Sequence, residues 1–85
     1  MGLTKLVLDA LKTLKGPTII EVAYHLLELD GVKNVDITVK EMNIEALSLT
    51  ITIEGFNIDF EKVRDALEKL GVIIHSVSEV SASKD

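Results

Sequence analysis

The sequence has no cysteine, no tryptophan and no glutamine, and Arg64 is its single arginine among 85 residues. Without cysteine, disulfides, thiolate metal sites and cysteine nucleophiles are excluded. The scarcity of arginine and a net charge of −5 argue against nucleic acid, because a phosphate-tracking surface needs clustered Lys and Arg to release counterions. No apolar run approaches the roughly 18 residues of a membrane span. Lys5, Asp9, Lys12 and Lys15 interrupt any signal-like apolar core near the N-terminus. Leu6 stands where a myristoylation motif beginning at Gly2 would want Ser or Thr. The expectation is therefore a cytoplasmic protein with neither membrane nor nucleic acid as partner.

Hydrophobic residues are plentiful: they make up 47% of the chain, and the mean hydropathy is +0.32. A chain this short fits one domain, residues 1–85, and buries only a modest share of its surface. Small domains gain stability from disulfides, metals or association. With cysteine absent, association leads, and a homo-oligomer is predicted.

Periodicity divides the chain. Leu3 to Leu14 reads as a first strand, closed by the punctuation Gly16-Pro17-Thr18. Thr18 and Glu21 have capping-box spacing. After them Ile19, Ile20, Ala23, Leu26, Leu27 and Leu29 recur at helical intervals until Gly31. Val35, Ile37 and Val39 alternate with Asp36, Thr38 and Lys40, and Leu47, Leu49, Ile51 and Ile53 alternate with Ser48, Thr50, Thr52 and Glu54. These are two strands, each with one buried face. Gly55 and Asn57 mark the next connection, and Asp59 suits a helix N-cap. Phe60, Val63, Leu67 and Leu70 form one helical stripe, Gly71 closes it, and Val72–Val80 is a last strand. Residues 81–85 read as a frayed tail. Leu27-Glu28-x-x-Gly31-Val32 recurs as Leu67-Glu68-x-x-Gly71-Val72, as a duplicated βαβ unit would. The prediction is an α+β, ferredoxin-like βαββαβ sandwich. Right-handed crossovers favour an antiparallel four-stranded sheet in order 4-1-3-2 with both helices on one face.

Such a sheet leaves its other face open. The middle two strands in sequence present Asp36, Thr38, Lys40, Ser48, Thr50 and Thr52 there. The first and last strands are apolar on both faces, through Leu6, Val7, Leu8, Val72, Ile73 and Ile74. A greasy half of the open face would mark a subunit interface; a strand bulge would instead turn those residues into the same core.

The motifs Leu6-Val7-Leu8-Asp9-x-Leu11-Lys12, Gly31-Val32-x-x-Val35, Ile51-Thr52-Ile53-Glu54-Gly55, Asp59-Phe60-Glu61 and Ile74-His75-Ser76-Val77-x-Glu79-Val80 together resemble an uncharacterised archaeal family, domain-of-unknown-function family 211. The resemblance covers nearly the whole chain. It implies a ferredoxin-like domain, a homo-oligomer and no established activity. Ser78 departs from the pattern, standing where the family commonly has an aspartate before Glu79, and the C-terminal tail is shorter and more polar than usual.

Several residues could carry chemistry. Asp9 sits in an apolar strand, where an acid is expensive to bury unless paired or ligated. It reads as a metal ligand, an inter-subunit ion-pair partner, or a side chain pointing to water. His75 and Glu79 lie four apart in a strand, so regular alternation sets them on one face, with Asp9 on the neighbouring strand. That set could orient a ligand, bind a divalent ion or form a hydrogen-bonded seam. Ser76 would then point the other way, which leaves a Ser–His nucleophile unsupported. Asp9, Glu41, Asn43 and Glu45 offer oxygen ligands of the kind calcium or magnesium prefers. The turn before Thr18 is similar to the junction lining an effector pocket in amino-acid-binding regulatory domains of the ACT kind. Helix N-termini favour anions, so Thr18 is a ligand candidate beside its plainer role as a cap. There is no Cys-x-x-Cys, no aromatic pair for RNA stacking, no arginine-bearing glycine loop like that of acylphosphatases, and no phosphate-cradling Gly-rich motif. Two function classes stay open. One is a self-associating, non-enzymatic module binding a divalent ion or small anionic ligand between subunits. The other is an enzyme with an inter-subunit site built from Asp9, His75 and Glu79.

Overall fold

The computed structural model describes residues 1–84. The elements follow in the order β1 (Gly2–Thr13), α1 (Ile19–Leu27), β2 (Val32–Met42), β3 (Ala46–Ile58), α2 (Phe60–Lys69) and β4 (Val72–Ser83). The strands form one antiparallel sheet in the order β2-β3-β1-β4. This is the α+β, ferredoxin-like topology predicted from periodicity.

Alternation decides the core. On β1, Leu6, Leu8 and Ala10 face the helices, and on β3 Leu49, Ile51 and Ile53 meet them from the same side. Val22 and Leu26 of α1 and Val63 and Leu67 of α2 close over these side chains and are fully buried. Burying each such side chain is worth roughly 1.5–3 kcal/mol. Both helices start as the sequence requires. Thr18 and Glu21 form the reciprocal capping box of α1, and Asp59 accepts from the amides of Glu61 and Lys62 at the start of α2.

Two boundaries differ from the sequence reading. β3 does not stop at Glu54 but runs through Gly55, Phe56 and Asn57 to Ile58. The α1–β2 turn packs directly on this stretch: the Phe56 amide donates to the Gly31 carbonyl at 2.8 Å. Only the missing side chain of Gly55 allows that approach, because a Cβ there would overlap the backbone of Gly31. Ser81–Ser83, read above as tail, are the last residues of β4 and pair with the start of β1, while Asp85 lies outside the described residues. The open face is also less greasy than expected. Leu6, Leu8, Val72 and Ile74 belong to the helix side, leaving Val7, Leu11 and Ile73 interleaved with Lys5, Asp9, Ser76 and Glu79. Among the described residues no helix is long and apolar enough to cross a membrane.

A charge sits where only apolar groups were expected. Lys12 follows Ala10 on the helix side of β1 and is only 3% exposed. Its stem lies among apolar neighbours while its ammonium donates to the Thr13 carbonyl at 2.9 Å and the Lys15 carbonyl at 3.5 Å. Lys12 thus ties down the turn that leads into α1.

Candidate functional site: a cleft on the open face of the sheet

Asp9 lies near the middle of β1 on the open face, opposite Thr50 of β3 and Ser76 of β4. It is half-buried, and the Ser76 hydroxyl donates to its carboxylate at 3.1 Å. Ser76 therefore shares the face of Asp9, contrary to the expectation from alternation. The reason is local. The β1–β4 register runs from Asp9↔Ser76 to Ala10↔Ile74 and from Val7↔Glu79 to Leu8↔Val77, so His75 and Ser78 are extra residues. The bulge at His75 inverts the facing of Ser76 and Val77, and the bulge at Ser78 restores the original parity at Glu79. The Ser78 hydroxyl turns back to the Val7 carbonyl at 3.2 Å.

On the far side of the sheet β2 is also irregular. Its register with β3 passes from Val39↔Leu49 to Glu41↔Ser48, which leaves Lys40 as the extra residue. Between the two bulged residues lies a cleft of about 290 Å³ lined by Asp9, Leu11, Lys40, Ser48 and His75, with Ala10 and Leu49 at its floor. It carries a cation, an anion, an imidazole and a hydroxyl within one small concavity. The cleft unites Asp9 with His75, as the strand order implied, and adds Lys40 and Ser48. In the sequence pattern both are ordinary wet-face residues. The signal that could have found them is their place beside Asp9 once the sheet order is known; the Lys40 bulge leaves no mark in the sequence.

The remaining candidates are elsewhere. Glu79 is on the open face but outside the cleft lining, held by Lys5 at 3.1 Å. Its hydrogen bond and charge raise the Lys5 ammonium above its ordinary pKa. The inter-subunit triad of Asp9, His75 and Glu79 is thus not assembled within one subunit. The Thr18 hydroxyl accepts from the Glu21 amide, and the Glu21 carboxylate accepts from the Thr18 amide, so the start of α1 already holds an anionic group of its own. Asn43 is likewise engaged: its side-chain oxygen accepts from the amides of Glu45 and Ala46 at 2.8 and 2.9 Å. Asp9, Glu41, Asn43 and Glu45 do not come together. Among the described residues no group of three or more His, Cys, Asp or Glu side chains could hold a metal ion within one subunit.

These features belong to an α+β domain of ferredoxin-like topology with a polar cleft on its uncovered face. The family model of DUF211, described as uncharacterized ArCR, matches residues 4–85, and the chain belongs to this family. The chain is similar to Uncharacterized protein MJ0319 of the archaeon Methanocaldococcus jannaschii, at 41% identity over 83 residues, covering 98% of this chain and 84% of the relative.

Proposed function

We propose that the protein is a cytoplasmic, self-associating, non-catalytic module that holds a small anionic ligand in the open-face cleft. The observation that supports this most is the pair of bulged residues, His75 on β4 and Lys40 on β2, flanking one cleft with Asp9 and Ser48 between them. Bulges sacrifice ladder regularity and are over-represented where a side chain must be re-aimed. In this reading Lys40 and His75 receive a carboxylate or phosphate, the Ser48 hydroxyl donates to it, and Asp9 accepts from a hydroxyl or amine of the same ligand. Asp9, already positioned by Ser76, is also the group that would share a divalent ion with a second copy. Leu11 and Ile73 face each other across β1 and β4 beside the cleft, and Ile73 is 65% exposed. A second copy laid over them would bury both and close the cleft.

The test is differential scanning fluorimetry with inorganic phosphate, a panel of small dicarboxylates, and calcium or magnesium. A ligand at a hundredfold its Kd stabilises by about 2.7 kcal/mol. An anion should raise the melting temperature of the parent and not of Lys40→Ala or His75→Ala, and a metal response should vanish in Asp9→Asn. Responses that survive all three substitutions would remove the cleft from consideration.

A further inference from the structure

We infer that the ligand of the open-face cleft carries an alkyl chain: its carboxylate head lies at Lys40 and Ser48, and its chain runs along β1 into a second hollow between Leu14 and Ile44. This rests on the reading that the cleft holds an anion, and it names the class of anion. The second hollow has a volume of about 470 Å³ and is lined by Thr13, Leu14, Lys15, Ile44 and Glu45. It lies between the turn that leaves β1 and the hairpin that joins β2 to β3.

The strand ladder leads from one hollow to the other. Leu11 and Ser48, both in the cleft lining, face each other across β1 and β3, and the next pairs are Lys12↔Leu47 and Thr13↔Ala46. Lys12 and Leu47 turn to the helix side, so Thr13 and Ala46 come next on the open face. The small side chain of Ala46 keeps that floor low. The Thr13 hydroxyl donates to the Lys15 carbonyl at 3.0 Å, so it is engaged within its own turn. Asn43 is engaged in the same way within the hairpin, through the amides of Glu45 and Ala46. With their polar groups satisfied internally, the two loops present apolar side chains to the hollow. Ile44 is 92% exposed, Leu14 46%, and Leu11 on the way from the cleft 47%. Lys15 and Glu45 at the rim carry opposite charges and add no net charge there.

Charge and length select an anion with a chain. Lys40 supplies the permanent positive charge of the cleft lining and Asp9 the negative one, and no ion pair joins them among the described residues. A singly charged carboxylate matches that cation, whereas a phosphate sets a second negative charge near Asp9. Lys40 is the extra residue beside the Glu41↔Ser48 pair, and Ser48 is level with Leu11. From Leu11 to Leu14 the backbone advances about 10 Å, at about 3.3 Å per residue. An extended alkyl chain advances about 1.25 Å per carbon, the projection of a carbon–carbon bond of about 1.5 Å at a tetrahedral angle. About eight carbons therefore span the distance. A small polar anion fills the cleft and leaves Leu14 and Ile44 in water; a chain covers both from the same head position.

The test is isothermal titration calorimetry at neutral pH with straight-chain alkanoates from acetate to dodecanoate, each below its micelle concentration, on the full chain. Affinity should rise about two- to fourfold per added methylene, the range for half to full burial, and level off beyond about eight carbons. Ile44→Ser and Leu14→Ser alter exposed side chains outside the cleft lining, and each should flatten the dependence on length. Lys40→Ala should weaken every member by a common factor of about ten or more and keep the slope. Phosphate or a dicarboxylate that binds through Lys40 while alkanoates gain nothing with length would overturn the inference and leave the cleft reading in place. Alkanoates and phosphate that all fail to bind would remove both. A length dependence that persists in Ile44→Ser and Leu14→Ser, or affinities indifferent to Lys40→Ala, would overturn the inference. So would a response confined to phosphatidylcholine vesicles, which would mark a lipid surface rather than a single bound chain.

Discussion

The close approach at Gly55 allows a prediction in which space and backbone conformation are separated. A Cβ added at Gly55 would overlap the carbonyl of Gly31 and press on the amide of Lys33, both backbone atoms. No rotamer change can relieve this; the α1–β2 turn must move away from β3, loosening the Phe56–Gly31 hydrogen bond. Overpacking costs about 1–3 kcal/mol, and the strained hydrogen bond adds about 1 kcal/mol, so Gly55→Ala should destabilise by about 2–4 kcal/mol. Unfolding entropy near 60 °C is about 2.1 cal/mol/K per residue. For a chain of 85 residues the melting temperature should then fall by about 11–22 °C. The control is Gly16→Ala, where φ is +89° but no atom lies within 4 Å of the added Cβ. It carries only the left-handed backbone cost, about 1–2 kcal/mol. Far-ultraviolet circular dichroism melts and urea titrations at one fixed protein concentration measure both variants, since association alters apparent stability. A Gly55→Ala protein that melts within about 2 °C of the parent, far inside the predicted shift, would refute the reasoning.

Two further perturbations address charges. Lys12→Met keeps most of the buried stem and removes the ammonium, and replacing a buried charge by an apolar group of similar volume is often neutral; its stability should stay within about 1 kcal/mol of the parent. Lys12→Ala also empties the stem's space and should cost about 2–3 kcal/mol, so equal urea midpoints for the two variants would show that the stem does not pack. The Lys5 pKa is raised by the Glu79 hydrogen bond and charge, so its favourable interaction is fully present below the ordinary lysine range and is lost as pH rises through the higher folded value. The titration of the Lys5 side-chain methylene signals by NMR should have its midpoint above 10.5 and move down in Glu79→Gln; an unchanged midpoint would disconnect the pair.

Much of the architecture was readable one residue at a time. The alternation of Leu47, Leu49, Ile51 and Ile53 with Ser48, Thr50, Thr52 and Glu54 fixes a strand because side chains on a pleated chain change face at every residue. Thr18, Glu21 and Asp59 fix helix starts because orphan amides must be satisfied within a few residues of the chain. These are local requirements, met by neighbours in sequence. The order of strands follows once two βαβ units of fixed handedness are recognised.

The cleft was only half readable. Asp9 and His75 can be set on adjacent strands by topology alone, but plain alternation points Ser76 the wrong way, and Lys40 and Ser48 carry no mark beyond that of a wet face. The cause is the bulge. An extra residue at His75 or Lys40 is decided by how β4 meets β1 and how β2 meets β3, and nothing in either strand's own pattern announces it. The burial of Lys12 has a different origin: unbroken alternation after Leu6, Leu8 and Ala10 sends it under the helices, and only the fold of the turn after β1 supplies the two carbonyls that receive its ammonium. Local periodicity thus determined which segments are strands and helices. Which side chains share a concavity was set by pairing between segments distant in sequence, because a single slipped residue in that pairing moves a side chain from one face of a sheet to the other.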